Sequence, residues 1–143
     1  MKELQFTVYG VPQPKGSMRC WGKAFEDLLT GRWRVVQTVR AANKKLEPWE
    51  AEIRRTLRDL PRVEFFPGPV TVHLDFHLPT LPTRPPDLDK LVRGALDALT
   101  GVVWTDDAQV TRLVAVKQRC VEGRPRAVYR ITDQPDTMCP KEP

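Results

Sequence analysis

Cysteine is scarce in this chain: Cys20, Cys120 and Cys139 are the only three in 143 residues, and no C-x-x-C pair joins them. An odd count with that spacing argues against a disulfide framework or a zinc ribbon, and implies free thiols in a reducing, cytoplasmic compartment. Long apolar runs are missing too. No stretch approaches the ~20 residues a membrane span needs, and Met1-Lys2-Glu3-Leu4-Gln5 has no signal-peptide core. The expectation is therefore a chain with no membrane partner. Also absent are a Walker-type glycine loop and a Ser-His-Asp set, which sets aside two common routes to hydrolysis.

What is present is basic charge in one place. Between Lys15 and Lys45 stand eight basic residues against Glu26 and Asp27 alone, so this stretch carries +6 while the rest of the chain sums to −1. A basic segment on a near-neutral body suits a polyanion, most often nucleic acid. Lys15, Arg19, Lys23, Arg32 and Arg34 are its candidate phosphate contacts. Trp21, Phe25 and Trp33 interleave with them and could either stack on unpaired bases or belong to a core.

The remainder reads as one α+β domain over residues 1–133, with a proline- and charge-rich tail at 134–143. Leu4 to Tyr9 and Val70 to Leu78 alternate apolar with polar, as strands do. Residues 10–16 form a Gly-x-Pro-x-Pro loop, and 17–32 show no clean period. Trp33 to Gln37 reads as a short strand. Trp49, Ile53 and Leu57 give a helix opening near Glu47 and ending near Leu60. Leu88, Leu91, Val92, Ala95, Leu96 and Leu99 form the stripe of a second helix, stopped by Gly101. Val110 to Val116 and Arg126 to Ile131 read as two further strands. The expected architecture is a mixed sheet packed by two main helices.

Four carboxylates flank the second helix. Asp87 and Asp89 stand at its start, where Pro86 favours an extended lead-in and places Asp87 at the N-cap. Asp106 and Asp107 follow after a six-residue loop. Any one alone reads as a cap or a turn, but a helix needs one cap and here two acids open it. Hard cations such as Mg²⁺ take a few carboxylates and fill their shell with water and phosphate oxygens. Such a site suits phosphoryl transfer. The helix is ~18 Å long, and an extended return of six or seven residues covers a similar distance at ~3.3 Å each. The chain could thus bring Asp107 back to converge with Asp87 and Asp89. His73, Asp75 and His77 also share a strand face, which reads as a polar sheet surface rather than a metal site.

Taken together, Asp87-Leu88-Asp89, Ala95-Leu96-Asp97-Ala98-Leu99 and Trp104-Thr105-Asp106-Asp107-Ala108-Gln109 resemble the acidic core of the RusA family of Holliday-junction resolvases. The resemblance implies a homodimeric, Mg²⁺-dependent crossover junction endodeoxyribonuclease of bacterial or phage-infected cells, making paired cuts in four-way or branched DNA. It implies Asp87, Asp89 and Asp107 as metal ligands, Asp106 beside them and Asp97 as a supporting acid. Lys90 stands where the family carries Asn, and would face DNA. Arg93 stands at a functional family lysine, and its rigid, always-charged fork is suited to phosphate. Two rival readings share these residues: a non-catalytic branched-DNA-binding protein, and a flap- or nick-directed nuclease that makes single cuts.

Overall fold

The computed structural model describes residues 2–16, 18–26, 28–41, 43–79, 85–120 and 122–133, with backbone only at 18–25 and 34–41. The tail expected at 134–143 lies outside the described residues. In chain order the elements are β1 (Glu3–Tyr9), β2 (Met18–Glu26), β3 (Trp33–Ala41), α1 (Leu46–Asp59), β4 (Val70–Leu78), α2 (Leu88–Leu99), β5 (Val110–Arg119) and β6 (Arg126–Asp133). A single turn of 3-10 helix at Asp107–Gln109 leads into β5.

Four strands make one mixed sheet in the order β1-β6-β4-β5. β6 runs antiparallel to both β1 and β4, while β5 runs parallel to β4. The alternation seen in the sequence has its cause here. Val72, Leu74, Phe76 and Leu78 of β4 join Leu4, Phe6 and Val8 of β1 and Tyr129 and Ile131 of β6 in one buried cluster. Trp49, Ile53 and Leu57 of α1, and Leu91, Ala95, Ala98 and Leu99 of α2, complete it. His73, Asp75 and His77 are half-buried on the opposite face, as a polar sheet surface requires.

A parallel strand pair needs a crossover, and α2 provides it between β4 and β5. The helix therefore starts beside the C-terminal end of β5, where Lys117 Nζ donates to the Pro86 carbonyl at 2.9 Å. It ends beside the start of β4, where Gln109 Nε2 donates to the carbonyls of Phe66 and Gly68. So α2 runs antiparallel to β5, which fixes where its flanking acids stand.

Two segments differ from expectation. The stretch 17–32 contains β2, which pairs antiparallel with β3 along its full length, and β3 itself runs past Gln37 to Ala41. This ribbon is a two-stranded sheet separate from the main one. β5 likewise extends beyond Val116, because the ladder to β4 continues through Lys117, Gln118 and Arg119 whatever their polarity.

Tyr129 stacks on Phe6, with centroids 4.6 Å apart and planes within 8°. Its hydroxyl is buried with no hydrogen-bond partner among the described residues, and burial pushes its ionisation far above the ordinary phenol range. An unsatisfied buried hydroxyl is unfavourable. Tyr129→Phe is therefore expected to leave stability unchanged or raise it by up to about 1 kcal/mol. A urea melt showing a clear loss would mean that the hydroxyl has a partner.

Candidate active site

The N-terminal end of α2 presents two acids that folding does not use. Asp87 occupies the N-cap in extended conformation, but its side chain makes no capping hydrogen bond. Its carboxylate lies 3.7 Å from Lys90 Nζ. Asp89, in the first turn, is exposed. The macrodipole and the free amides at this end favour negative charge.

Beside Asp87 lies a cleft of about 470 Å³, between the Gly-x-Pro-x-Pro loop, the end of β4 and the start of α2. Pro12, Pro14, Leu78, Pro85 and Pro86 form apolar walls, and Lys45, Lys90 and Asp87 are its charged groups. The loop lies directly on α2: Lys15 N donates to the Lys90 carbonyl at 2.9 Å. Gly94 permits that approach, since a Cβ there would sit 3.2 Å from the Gln13 carbonyl oxygen and 3.1 Å from Leu46. A glycine inside a helix costs about 1 kcal/mol relative to alanine, and close packing against the loop accounts for its presence.

Asp107 belongs to the other end of the helix. Its Oδ1 accepts from Thr100 Oγ1 at 2.5 Å and from Trp104 Nε1 at 2.9 Å, and Thr100 is the C-cap of α2. Its Oδ2 takes no hydrogen bond among the described residues. Asp87 and Thr100 are the two caps of one helix, separated by ~20 Å at ~1.5 Å per residue. The expected convergence of Asp87, Asp89 and Asp107 within one chain therefore does not occur. The loop was long enough to return toward the start of α2, but Gln109 anchors it at the start of β4 instead. Among the described residues, no three His, Cys, Asp or Glu side chains are grouped to hold a metal ion. Asp106 has a local role: its side chain accepts from Ala108 N at 2.8 Å, and the Gln109 side chain accepts from the Asp106 amide in return, a capping box.

The basic candidates divide. Lys15, expected at DNA, is instead half-buried and ion-paired with Asp97 of α2. Arg93 is exposed and makes no ion pair among the described residues. Arg32 and Trp33 are exposed where the β2–β3 ribbon turns. Arg19, Lys23 and Arg34 lie on that ribbon, while their side chains, with those of Trp21 and Phe25, lie outside the described residues. Sequence reasoning missed Lys45, Gly94, Lys117 and the Trp104–Thr100 clasp on Asp107. The glycine interrupting an otherwise strong helix stripe was the one legible signal among them.

The Lys15–Asp97 pair sits beside Glu50 of α1. Burial pushes the Glu50 carboxyl above its ordinary range; Arg54 opposes this, Asp97 adds to it and Lys15 opposes it. Lys15→Met is expected to destabilise the fold by about 1 kcal/mol near neutral pH. The deficit should shrink as pH falls, because protonating Glu50 relieves its repulsion with Asp97. The salt dependence of DNA binding should not change, since a lysine held by Asp97 neutralises no phosphate. Denaturant melts at about pH 5 and about pH 8, with a salt titration of binding, check both; a flatter salt slope would return Lys15 to the DNA surface.

The family described as endodeoxyribonuclease RusA matches this chain over residues 29–132. That span contains α1, β4, both ends of α2, β5 and nearly all of β6. No curated protein matches the chain.

Proposed function

The chain belongs to the RusA family of Holliday-junction-resolving endodeoxyribonucleases and is a nuclease hydrolase; from that membership we propose that it cuts four-way and related branched DNA in pairs, as a homodimer, with Mg²⁺ as its cation. The observation that supports this reading best is the pair Asp87 and Asp89. Both are exposed, neither side chain caps α2, and Asp87 lines a cleft together with Lys45 and Lys90. The pairing of cuts follows from symmetry, since a four-way junction offers two equivalent strands and a two-fold dimer offers two equivalent sites.

The chain's own groups have distinct parts in this reading. Lys45 and Lys90 draw a phosphate toward the cleft, and the free amides at the start of α2 favour the same anion. Arg93, one turn along from Asp89, offers a planar fork to a second phosphate oxygen. The β2–β3 ribbon, with Arg19, Lys23, Arg32 and Arg34, carries the basic charge that attracts duplex arms. Exposed Leu28 and Trp33 near its turn present apolar surface to bases unstacked at a branch. Asp87, Asp89 and Asp107 are proposed as the cation's ligands, although within one chain Asp107 stands apart from the other two.

The test is cleavage of a four-way junction with and without Mg²⁺, with the cuts mapped on all four strands. Symmetric paired cuts that require the cation support the proposal. Tight binding without cutting would make this a binding protein, and unpaired cuts a flap- or nick-directed nuclease.

A further inference from the structure

The β2–β3 ribbon has two unlike faces. Its register pairs Arg19 with Arg40, Trp21 with Thr38, Lys23 with Val36 and Phe25 with Arg34. Successive residues of a strand alternate between faces and paired residues share one, so these positions all lie on the same face. The alternate positions make up the other face, where Glu26 is the one charged residue. Of the five basic residues between Met18 and Ala41, four therefore fall on the face of Trp21 and Phe25, and the fifth, Arg32, directly precedes β3.

Folding gives no reason for this sorting. A face built for a core would not carry four cations, so the register sets Trp21 and Phe25 among charges rather than in a core. Arg19 and Arg40 stand directly opposite each other, and like charges in that position destabilise a strand pair. An anion between them turns the repulsion into attraction.

The spacing indicates which form of nucleic acid fits. Along β2 the face reads cation, aromatic, cation, aromatic at every second residue, a step of ~6.7 Å. That is twice the ~3.4 Å between neighbouring phosphates along the axis of a duplex strand. A stacked strand is too tightly spaced to follow it. An unstacked one can lay bases on the aromatics and phosphates beside the cations.

The feet of the ribbon are tied to the start of α2. Lys15 N donates to the Lys90 carbonyl at 2.9 Å, and Asn43 Nδ2 donates to the Pro14 carbonyl at 2.8 Å. Arg19 and Arg40 form the second rung above these feet, and four residues of chain from Lys15 reach at most ~14 Å. The opposed arginines thus mark the end of the ribbon nearest Asp87 and Asp89.

We propose that this face of the ribbon binds a single DNA strand unstacked at a branch, with a phosphate between Arg19 and Arg40 and bases on Trp21 and Phe25, and leads that strand toward the start of α2. The role at a branch rests on the nuclease reading above; the affinity for a single strand does not.

The test is binding without cleavage. The full chain is titrated, in chelator, against a dye-labelled oligo-dT strand and a duplex of equal length, with anisotropy as the readout. The wild type should prefer the single strand. A surface acting through charge alone prefers the duplex, whose charge is denser, and that result would overturn the proposal. Trp21→Ala should weaken oligo-dT binding roughly 5- to 150-fold, the loss of one stacked base, and leave duplex binding unchanged. Thr38→Glu and Gln37→Glu make the same change of charge at adjacent residues on opposite faces. Thr38→Glu alone should weaken oligo-dT binding; equal losses would show that net charge acts and not a face. Arg40→Gln should take ~0.7 from the log–log salt slope with no loss of stability, since it relieves the opposed charges; an unchanged slope would overturn the phosphate site. A wild type that cuts no junction yet prefers oligo-dT would remove the nuclease reading and leave the single-strand face standing. One that cuts junctions but does not bind oligo-dT would overturn that face alone.

Discussion

Asp87→Asn and Asp89→Asn should each lose junction cleavage by more than about 100-fold, the loss that even outer partners of a bound metal can cause, while junction binding persists or tightens. Both halves of that expectation come from how little these side chains do for the fold. Asp87 makes no capping bond and Asp89 is exposed, so the substitutions remove charge without removing structure. Stability should stay within about 0.5 kcal/mol of the wild type, as for surface positions generally. Binding should not weaken, because each substitution takes away a negative charge that repels phosphate. Cleavage rate, gel shift and thermal unfolding measured together decide the matter. Wild-type cutting by either variant would remove that residue from the site. A large loss of stability would assign it a structural part instead.

Trp104→Ala should be the most disruptive single substitution for the fold, at about 3–5 kcal/mol. Trp104 is fully buried and among the largest side chains in the core, and a domain of this kind holds only about 5–15 kcal/mol in total. The informative companion is Trp104→Phe. Most of the apolar contact survives, but the Nε1–H donated to Asp107 is gone. A hydrogen bond to a charged group is worth about 1.5–3 kcal/mol, and with Asp107 half-exposed to solvent the lower figure applies. Cleavage should fall more than stability, because Asp107 then keeps only Thr100 to orient it. Junction affinity should be unchanged. Denaturant melts separate the two variants, and a Trp104→Phe protein that cuts at the wild-type rate would show that the orientation of Asp107 does not matter.

Wherever a residue's surroundings are local, the sequence was readable. The apolar stripe of α2 and the alternation of β4 located both elements at their observed limits, because one side of each packs on a single core. Pro86 and the acids after it placed the N-cap at Asp87, since the preference of a pre-proline residue for extended backbone is a matter of two neighbours. The run from Asp87 to Gln109 carried the family, and with it the chemistry. The β2–β3 ribbon was read only in part, as a short strand from Trp33 to Gln37, because its two strands pair with each other apart from the main sheet and the stretch of β2 shows no clean period.

Tertiary structure alone decided where the functional groups stand relative to one another. Lys15 counted as a free cation along the chain, yet the loop that carries it folds onto α2, where Asp97 holds it. Asp107 lay within reach of Asp87 by chain length, since a loop of six residues could have returned. Its direction was set instead by Gln109 at the start of β4 and by the parallel ladder of β5, contacts made 40 or more residues away in sequence. Chain length bounds how far a residue can go, but only long-range pairing determines which way it goes.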